Sequence, residues 1–231
     1  MKEGVSICVV TLNTFFYNRV AVEMIRKFTH LIPHEMLFFD NGSTDGSREW
    51  LSEQKDVSLI KGSTNIGHGP AADILIQQAE YEVCCTLCSD AFPTSVEWLT
   101  PALSLYDGET LLAGVDKPWG RLHPHYICPS FFFGKTEFLR THSFNHNWPQ
   151  WDTGEKICAD ARELGGQLKL IPMREVELGG GFKPMPCDYS GLVWHTWYST
   201  RRYVHNISAE VNAGYYEHMQ KLVREKYKLT Y

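Results

Sequence analysis

The chain has 231 residues, of which 43% are hydrophobic and 13% aromatic, so it can bury one core of about 200–250 residues. Its formal net charge of −5 argues against a nucleic-acid binder, because phosphate contacts need a basic surface. No apolar run reaches the roughly 18–20 residues that a membrane span needs. The first ten residues, MKEGVSICVV, lack the layout of a signal peptide.

The cysteines favour a reducing compartment. Cys8, Cys84, Cys85 and Cys88 lie within apolar runs, where thiols act as small hydrophobic side chains. The pattern C-x-x-C at 85–88 has no second pair at zinc-ligand spacing and lies inside a predicted strand. We therefore expect a reduced, cytoplasmic protein.

Strands and helices alternate along the first hundred residues. The predicted strands are 5–10, 35–40, 57–60 and 83–88, and the predicted helices are 18–31, 47–54 and 69–80. Short apolar runs rich in β-branched residues indicate buried strands, and apolar residues at helical spacing indicate the helices. This alternation predicts βαβ units, a mostly parallel central sheet flanked by helices, and a single compact domain.

The second half of the chain is less regular. We predict a helix over 98–107, a strand, turn and helix start over 126–140, and a helix over 152–166 that ends in Gly-Gly. The glycine- and proline-rich segment 178–191 predicts an irregular loop. A last amphipathic helix is predicted over 208–226, and the excess of basic residues around it would suit either a solvated face or a peripheral contact with anionic lipid.

Polar residues follow the predicted strands at the points where they end. The residues concerned are Thr11, Asn13, Asp40, Asn65, Ser89 and Asp90. In parallel sheets ligands bind beyond the carboxyl ends of the strands. The small residues after Asp40, in NGSTDGS, would let the backbone approach such a ligand.

Four segments carry a family resemblance. VSICVVTLN, FFDNGSTDGSREWL, NIGHGPAAD and LCSDAFP lie in this order over residues 5–93. Their order and spacing resemble the donor half of family 2 glycosyltransferases with the GT-A fold, a Rossmann-like α/β architecture. The resemblance implies inverting transfer of a sugar from a nucleotide diphosphate to an acceptor hydroxyl. It also implies that residues 1–100 bind the nucleotide sugar and residues 101–231 shape the acceptor site.

The resemblance implies a set of donor-binding residues. They are Thr11, Asn13, Asp40, Asn65, Gly67, Ser89, Asp90 and Arg201. Thr11 and Asn13 offer hydrogen bonds to a base, and Asp40 can accept them from ribose or base. The alternative for Asp40 is an Asx turn with no ligand. Asp45 could equally cap the helix that follows it.

The diphosphate implies a divalent cation, Mn²⁺ or Mg²⁺, with oxygen ligands. Asp90 is the expected ligand, because LCSDAFP resembles the D-x-D segment of the family. The sequence departs from that motif at its first acidic position, where Cys88 stands. HTWYS resembles the late histidine segment of the family, so His195 is a second expected ligand. The alternative is that His195 is a packed, hydrogen-bonded side chain.

Inverting transfer requires a carboxylate beside the acceptor hydroxyl. Asp152, in the sequence QWDTGEK, is the candidate base, with a pKa that we expect to be raised by partial burial beside Trp151. The alternative is that Asp152 is the N-cap of the next helix, with Glu155 completing a capping box. Glu155 and Asp160 are further candidates for the base.

Two other functions remain open. A nucleotidyltransferase would also use a Rossmann-like sheet and a metal, but we expect a glycine- and lysine- or arginine-rich loop after its first strand. The chain has TLNTFFYNR there. The missing first carboxylate also leaves open a protein that binds a nucleotide sugar and transfers it weakly. The acceptor would be a glycan, a lipid-linked molecule or a small molecule.

Overall fold

The computed structural model describes residues 1–118, 120, 122–144, 151–176, 186–197 and 209–231, with side chains in the last range from residue 214 onward. Eleven strands are present in this part of the chain. They are β1 (Lys2–Thr11), β2 (His34–Asp40), β3 (Val57–Lys61), β4 (Tyr81–Cys88), β5 (Ala91–Pro93), β6 (Thr110–Lys117), β7 (Tyr126–Lys135), β8 (Gln167–Ile171), β9 (Arg174–Glu175), β10 (Cys187–Tyr189) and β11 (Val193–His195).

The described helices alternate with the first strands and become sparser later. They are α1 (Phe15–Phe28), α2 (Ser47–Ser52), α3 (His68–Gln78), a 3₁₀ helix (Thr100–Tyr106), α4 (Thr136–Thr141), α5 (Glu155–Glu163) and α6 (Ala209–Tyr227).

Seven strands form the central sheet, in the order β3-β2-β1-β4-β7-β6-β8. The first four are parallel to one another, and β8 is parallel to β6. Only β7 runs the other way, between β4 and β6. The prediction of a mostly parallel sheet is therefore confirmed. The carboxyl ends of β1 to β4 lie along one edge of this sheet.

The alternation of side chains along β1 divides the core between the two faces of the sheet. Val5, Ile7 and Val9 pack in one cluster with residues of α1, while Cys8 and Val10 pack in the other with residues of α3 and α5. Both faces are covered, which explains why the strands have continuous apolar sequences rather than alternating ones.

A second, smaller sheet has the order β5-β11-β10-β9 and is antiparallel throughout. It joins the segment just after β4 to the segment that contains His195. The helix α6 packs through Tyr215, Met219 and Val223 against residues of α1. No helix of the described residues is long and apolar enough to span a membrane.

The structure corrects several predicted elements in the second half. The strands β6 and β8 were not predicted, the helix at 98–107 is a 3₁₀ helix, and α5 starts three residues later than expected. The segment 178–191 was predicted to be irregular, but Cys187–Tyr189 is a strand, because it pairs with β9 and β11. Residues 178–185 lie outside the described part of the chain. The strands among these elements form because they pair with segments distant in sequence, and local sequence patterns carry no information about such pairing.

Gly114 shapes the bulged strand β6, which leads to Lys117. It has φ +152°, and a Cβ at this position would lie 2.3 Å from the carbonyl oxygen of Phe131. Gly108 also has a positive φ, +85°, but an added Cβ there would have nothing within 4 Å. The two glycines therefore separate steric overlap from backbone strain.

We expect Gly114→Ala to lower the free energy of unfolding by about 3–5 kcal/mol, because steric overlap adds to strain. Gly108→Ala, the control, should cost about 1–3 kcal/mol from strain alone. Urea unfolding followed by circular dichroism measures both values. Equal losses in the two variants would contradict the role assigned to the close contact at Gly114.

Candidate functional site

The loops that follow β1 and β2 are joined by hydrogen bonds at the carboxyl edge of the central sheet. The N–H of Asn41 donates to the carbonyl of Thr11 at 2.8 Å. Asn13 adopts φ 51°, receives the N–H of Thr44 on Oδ1 at 2.7 Å, and donates its own N–H to Ser43 Oγ at 2.9 Å. The side chain of Asn13 therefore holds the NGST turn against the end of β1.

The hydroxyl of Thr11 lies 2.8 Å from that of Thr14, and both residues are buried. Asp45 accepts the N–H of Phe15 at 2.8 Å and the N–H of Ser47 at 3.1 Å. It thus satisfies backbone donors at the starts of α1 and α2, which is the capping role left open by the sequence.

Asp40 is fully buried at the end of β2 and is paired with Arg48. The guanidinium Nε of Arg48 donates to Oδ2 of Asp40 at 2.6 Å, and the N–H of Ser43 donates to the same carboxylate at 3.2 Å. The Asx-type contact expected as the alternative is present. A ligand that hydrogen-bonds to Asp40 would share this carboxylate with Arg48.

The loop after β3 is held against the same edge by Asn41, a residue of the NGSTDGS turn that is not among the predicted donor-binding residues. Its amide accepts the N–H of Ile66 at 3.0 Å and donates to the carbonyl of Gly67 at 3.2 Å. Asn65 is exposed, and its Oδ1 accepts the N–H of Gly67 at 2.9 Å. The backbone of Gly67, with φ +93°, leads into the first turn of α3.

Asp90 and His195, which are distant in sequence, are in direct contact. In the small sheet His195 is opposite Ala91, so its Nε2 lies 3.1 Å from Oδ1 of Asp90. The N–H of Thr196 donates to the carbonyl of Asp90 at 3.0 Å. Both side chains are more than 90% buried, and Ser89 beside them is buried too. The pairing of β5 with β11 thus brings the two predicted metal ligands together.

Cys88 completes a group of three potential metal ligands. A ligand atom from each of Cys88, Asp90 and His195 lies within 4.8 Å of the other two. Burial raises the pKa of the Cys88 thiol, as does the negative charge of Asp90, while the ammonium of Lys117 lowers it in part. Sulfur, oxygen and nitrogen donors around one point fit a divalent metal ion.

The second ring nitrogen of His195, Nδ1, is also hydrogen-bonded. Its Nδ1 lies 2.5 Å from the hydroxyl of Tyr189, which lies 3.0 Å from the hydroxyl of Ser130. The indole of Trp197 stacks on the imidazole with ring centres 4.7 Å apart. The imidazole plane is therefore fixed with Nε2 directed at Asp90.

His68, at the start of α3, is a further residue that the sequence analysis did not assign. Burial lowers its pKa to about 4, while the charge of Asp90 raises it and that of His195 lowers it. Its Nε2 is buried and has no hydrogen-bond partner among the described residues. A neutral imidazole thus lies within electrostatic reach of the Asp90–His195 pair. The sequence NIGHG already contained it, between two glycines.

Asp152 lies at the start of the α5 segment, where two polar groups hold its carboxylate. The ammonium of Lys117 donates to Oδ2 at 2.6 Å, and the hydroxyl of Tyr126 donates to the same oxygen at 2.7 Å. Lys117 and Tyr126 are cross-strand partners in the β6–β7 pair, which explains why both reach one oxygen. The N–H of Thr153 donates to Oδ1.

The expected rise in the pKa of Asp152 is wrong, because the pKa is lowered. Burial by itself would raise it, but the hydrogen bond and the charge of Lys117, with the hydroxyl of Tyr126, outweigh burial. Asp152 is therefore ionised well below neutral pH. Its carboxylate makes no cap hydrogen bond to α5, whose N-cap is Gly154.

Glu155 performs the structural role expected from the capping box. Its Oε2 accepts the N–H of Asp152 at 2.9 Å. Its Oε1 accepts the N–H groups of Leu122 and His123, at 2.7 and 2.6 Å. This buried carboxylate ties the loop after β6 to the backbone that carries Asp152.

Lys117 lies close enough to influence both the Cys88–Asp90–His195 group and Asp152. Its positive charge acts on the Cys88 thiol and on the Asp152 carboxylate. The sequence analysis missed Lys117 because it did not predict β6, although TLLAGVDK is a β-branched and apolar run that ends in two charged residues. Arg201, the remaining predicted donor residue, lies outside the described residues.

Two solved structures with similar folds contain a bound nucleotide sugar. The mannosyltransferase PcManGT from Pyrobaculum calidifontis, in complex with GDP-Man and Mn²⁺, aligns with a TM-score of 0.61 and 18% identity, over 74% of this chain and 55% of that one. S. aureus TarS 1–349 in complex with UDP-GlcNAc aligns with a TM-score of 0.55 and 18% identity, over 76% of this chain and 60% of that one.

At this identity the likeness concerns the fold alone, and the chain spans about half to three fifths of the length of these proteins. No curated protein sequence matches the chain significantly. The family model described as "Glycosyl transferase family 2" matches residues 6–140, more than half of the chain. The chain therefore belongs to glycosyl transferase family 2 and has the GT-A fold.

Proposed function

We propose that this protein transfers a hexose from a nucleotide diphosphate to an acceptor hydroxyl, with inversion and with the help of a divalent metal ion. The observation that carries the proposal is the contact between Asp90 and His195 at the carboxyl edge of the sheet, beside Cys88. The fold likeness to proteins solved with GDP-Man and with UDP-GlcNAc supports the choice of ligand class.

Residues 1–100 would bind the donor, and residues 101–231 would shape the acceptor site. The loops after β1, β2 and β3 are bonded to one another, so Asn13, Asp40 and Asn65 belong to one continuous polar edge. Thr11, Gly67, Ser89, Asp90 and Arg201 complete the proposed donor set. Thr11 would act by fixing the end of β1, since its hydroxyl is buried against Thr14.

Asp90 and His195 are the proposed ligands of Mn²⁺ or Mg²⁺. When bound, such an ion would neutralise negative charge on the departing diphosphate. Hydrogen bonds from Thr196 to the Asp90 carboxylate and between Tyr189 and His195 would orient the two proposed ligands.

Asp152 is the proposed base, which would take the proton of the acceptor hydroxyl as that oxygen attacks the anomeric carbon. The lowered pKa keeps this carboxylate ionised at neutral pH, but it also makes the carboxylate a weaker base than an ordinary aspartate. Lys117 would then stay beside the carboxylate and hold it in position. Inversion predicts a product of opposite anomeric configuration, which proton NMR of the product reads directly.

A member that binds the donor without transferring it is the second candidate. The absence of the first D-x-D carboxylate favours it, because one carboxylate holds a hard metal ion less well than two. Family membership and the loop TLNTFFYNR leave less support for a nucleotidyltransferase. Consumption of donor in the presence of a glycan, lipid-linked or small-molecule acceptor distinguishes transfer from binding alone.

A cytoplasmic location is proposed from the cysteines that fill buried strands, such as Cys84 and Cys85. Peripheral membrane contact has weaker support. On α6 the guanidinium of Arg224 lies over Phe16, and the ammonium of Lys226 lies over Trp194, at 4.5 Å from each ring centre. Both cations therefore cover neighbouring aromatic rings instead of forming an open basic patch.

A panel of nucleoside diphosphates with Mn²⁺ should raise the melting temperature for at least one base. At 100 times the Kd the gain is about 2.7 kcal/mol, which is about 5–10 °C for a chain of this size. Asp90→Ala should abolish the metal-dependent part of this rise, because it removes a ligand. Asp56→Ala, which changes an exposed aspartate, is the control. An unchanged response in Asp90→Ala would refute the metal assignment.

Asp152→Asn should reduce the transfer rate by about 10²–10⁴-fold, because the amide cannot accept the proton. Donor binding, measured by calorimetry, should stay as in the wild type. Asp160→Asn tests the other candidate carboxylate of this segment and should leave the rate unchanged, since Asp160 pairs with Lys156. Asp56→Asn, which changes an exposed aspartate elsewhere, is the control. Full activity in Asp152→Asn would show that Asp152 is not the base.

Lys117→Met should raise the pKa of Asp152, because burial then acts without the compensating charge. NMR titration of aspartate labelled with ¹³C at Cγ measures this pKa. The acid limb of kcat/KM should move to higher pH by the same amount, since the base works only when ionised. Lys156→Met, the control, removes another lysine near α5. An unmoved Asp152 titration would contradict the assigned contact.

A further inference from the structure

We infer that Cys88 is a metal ligand, and that its sulfur makes this site select thiophilic divalent ions such as Co²⁺ and Zn²⁺ over Mg²⁺. The inference rests on the proposed function only in one respect: the same site would hold the metal ion that contacts the donor diphosphate. It goes beyond that function because it assigns a third ligand and a metal preference.

Cys88 is the last residue of β4, next to the segment that carries Asp90. Among the described residues, the group of potential metal ligands contains Cys88, Asp90 and His195 but not Cys85, the other cysteine of the C-x-x-C pattern. Cys85 is fully buried in the core cluster that contains Val5 and Ile7. Cys88, two residues before Asp90, instead comes within 4.8 Å of both Asp90 and His195.

The donor set is that of a borderline or soft metal. Thiolate and imidazole ligands favour zinc and cobalt, whereas Mg²⁺ and Mn²⁺ favour carboxylate, carbonyl and water oxygens. Three protein ligands with a further position left for a non-protein ligand is the arrangement of catalytic zinc sites. Replacing an oxygen with a sulfur at position 88 would therefore change metal preference without destroying the site.

The surroundings of His195 suit coordination through Nε2. With the metal on Nε2, the ring proton lies on Nδ1 and is donated to the hydroxyl of Tyr189, which in turn donates to Ser130. A ligating histidine commonly has such a partner on its other nitrogen. Coordination by Cys88 forms a sulfur–metal bond and breaks the S–H bond, and the thiol proton passes to the solvent.

Titration of the 231-residue protein with Co²⁺, without donor or acceptor, tests the inference. A cysteine ligand gives a sulfur-to-cobalt charge-transfer band in the near ultraviolet, which oxygen and nitrogen ligands alone do not give. We expect the band in the wild type and in Cys128→Ser, which changes another half-buried cysteine near Cys88. We expect its loss in Cys88→Ser and in Cys88→Asp.

Calorimetry of the same variants measures metal preference. In Cys88→Asp the ratio of Co²⁺ affinity to Mn²⁺ affinity should fall by roughly 10-fold or more. Loss of a group that only hydrogen-bonds to a metal ligand typically lowers metal affinity by about this factor, and Cys88 is a proposed ligand itself. Circular dichroism and melting temperature show that each variant is folded, and the two substitutions at position 88 guard against one failing to fold.

The inference is overturned if the wild type shows no charge-transfer band, or if the band survives in folded Cys88→Ser. It is also overturned if Cys128→Ser removes the band while Cys88→Ser keeps it. These measurements contain no nucleotide, so they separate two failures. A missing band together with nucleotide-induced stabilisation refutes Cys88 alone. A normal band without binding of any nucleoside diphosphate refutes the donor assignment instead.

Discussion

The antiparallel pairing of Val193–His195 with Ala91–Pro93 is the interaction on which the site depends. It brings together residues more than a hundred positions apart, and Thr196 extends it by bonding to both the carbonyl and the side chain of Asp90. Without it the central sheet could still form, because β5 and β11 belong to the separate small sheet. The metal-ligating group would then lose the imidazole of His195.

A second cross-strand contact positions the carboxylate of Asp152. Lys117 and Tyr126 face each other in the β6–β7 pair, and both bond to Asp152. Glu155 fixes the backbone of the same segment by accepting N–H groups from two loops. The candidate site thus contains a group of three potential metal ligands and the Asp152 carboxylate, each held by strand pairing. The charge of Lys117 acts on both the Cys88 thiol and the Asp152 carboxylate.

The polar edge formed by the loops after β1, β2 and β3 is held by internal hydrogen bonds. Thr11, Asn13 and Asp40 already use their polar atoms in bonds to Thr14, Thr44 and Arg48, respectively. These bonds hold the loops in place before any ligand arrives. Preorganisation of this kind lowers the entropy that binding must otherwise cost.

The sequence by itself determined the four parallel strands, the helices between them and the polar residues at their ends, because the signals involved are local: apolar runs, helical spacing and turn residues. It also determined the family through motifs at fixed spacing. Only the tertiary structure decided that His195 touches Asp90, that Cys88 joins them, and that Lys117 lowers the pKa of Asp152. Those contacts arise from pairing between distant strands, including the unpredicted β6, and a pKa depends on neighbours that no local pattern names.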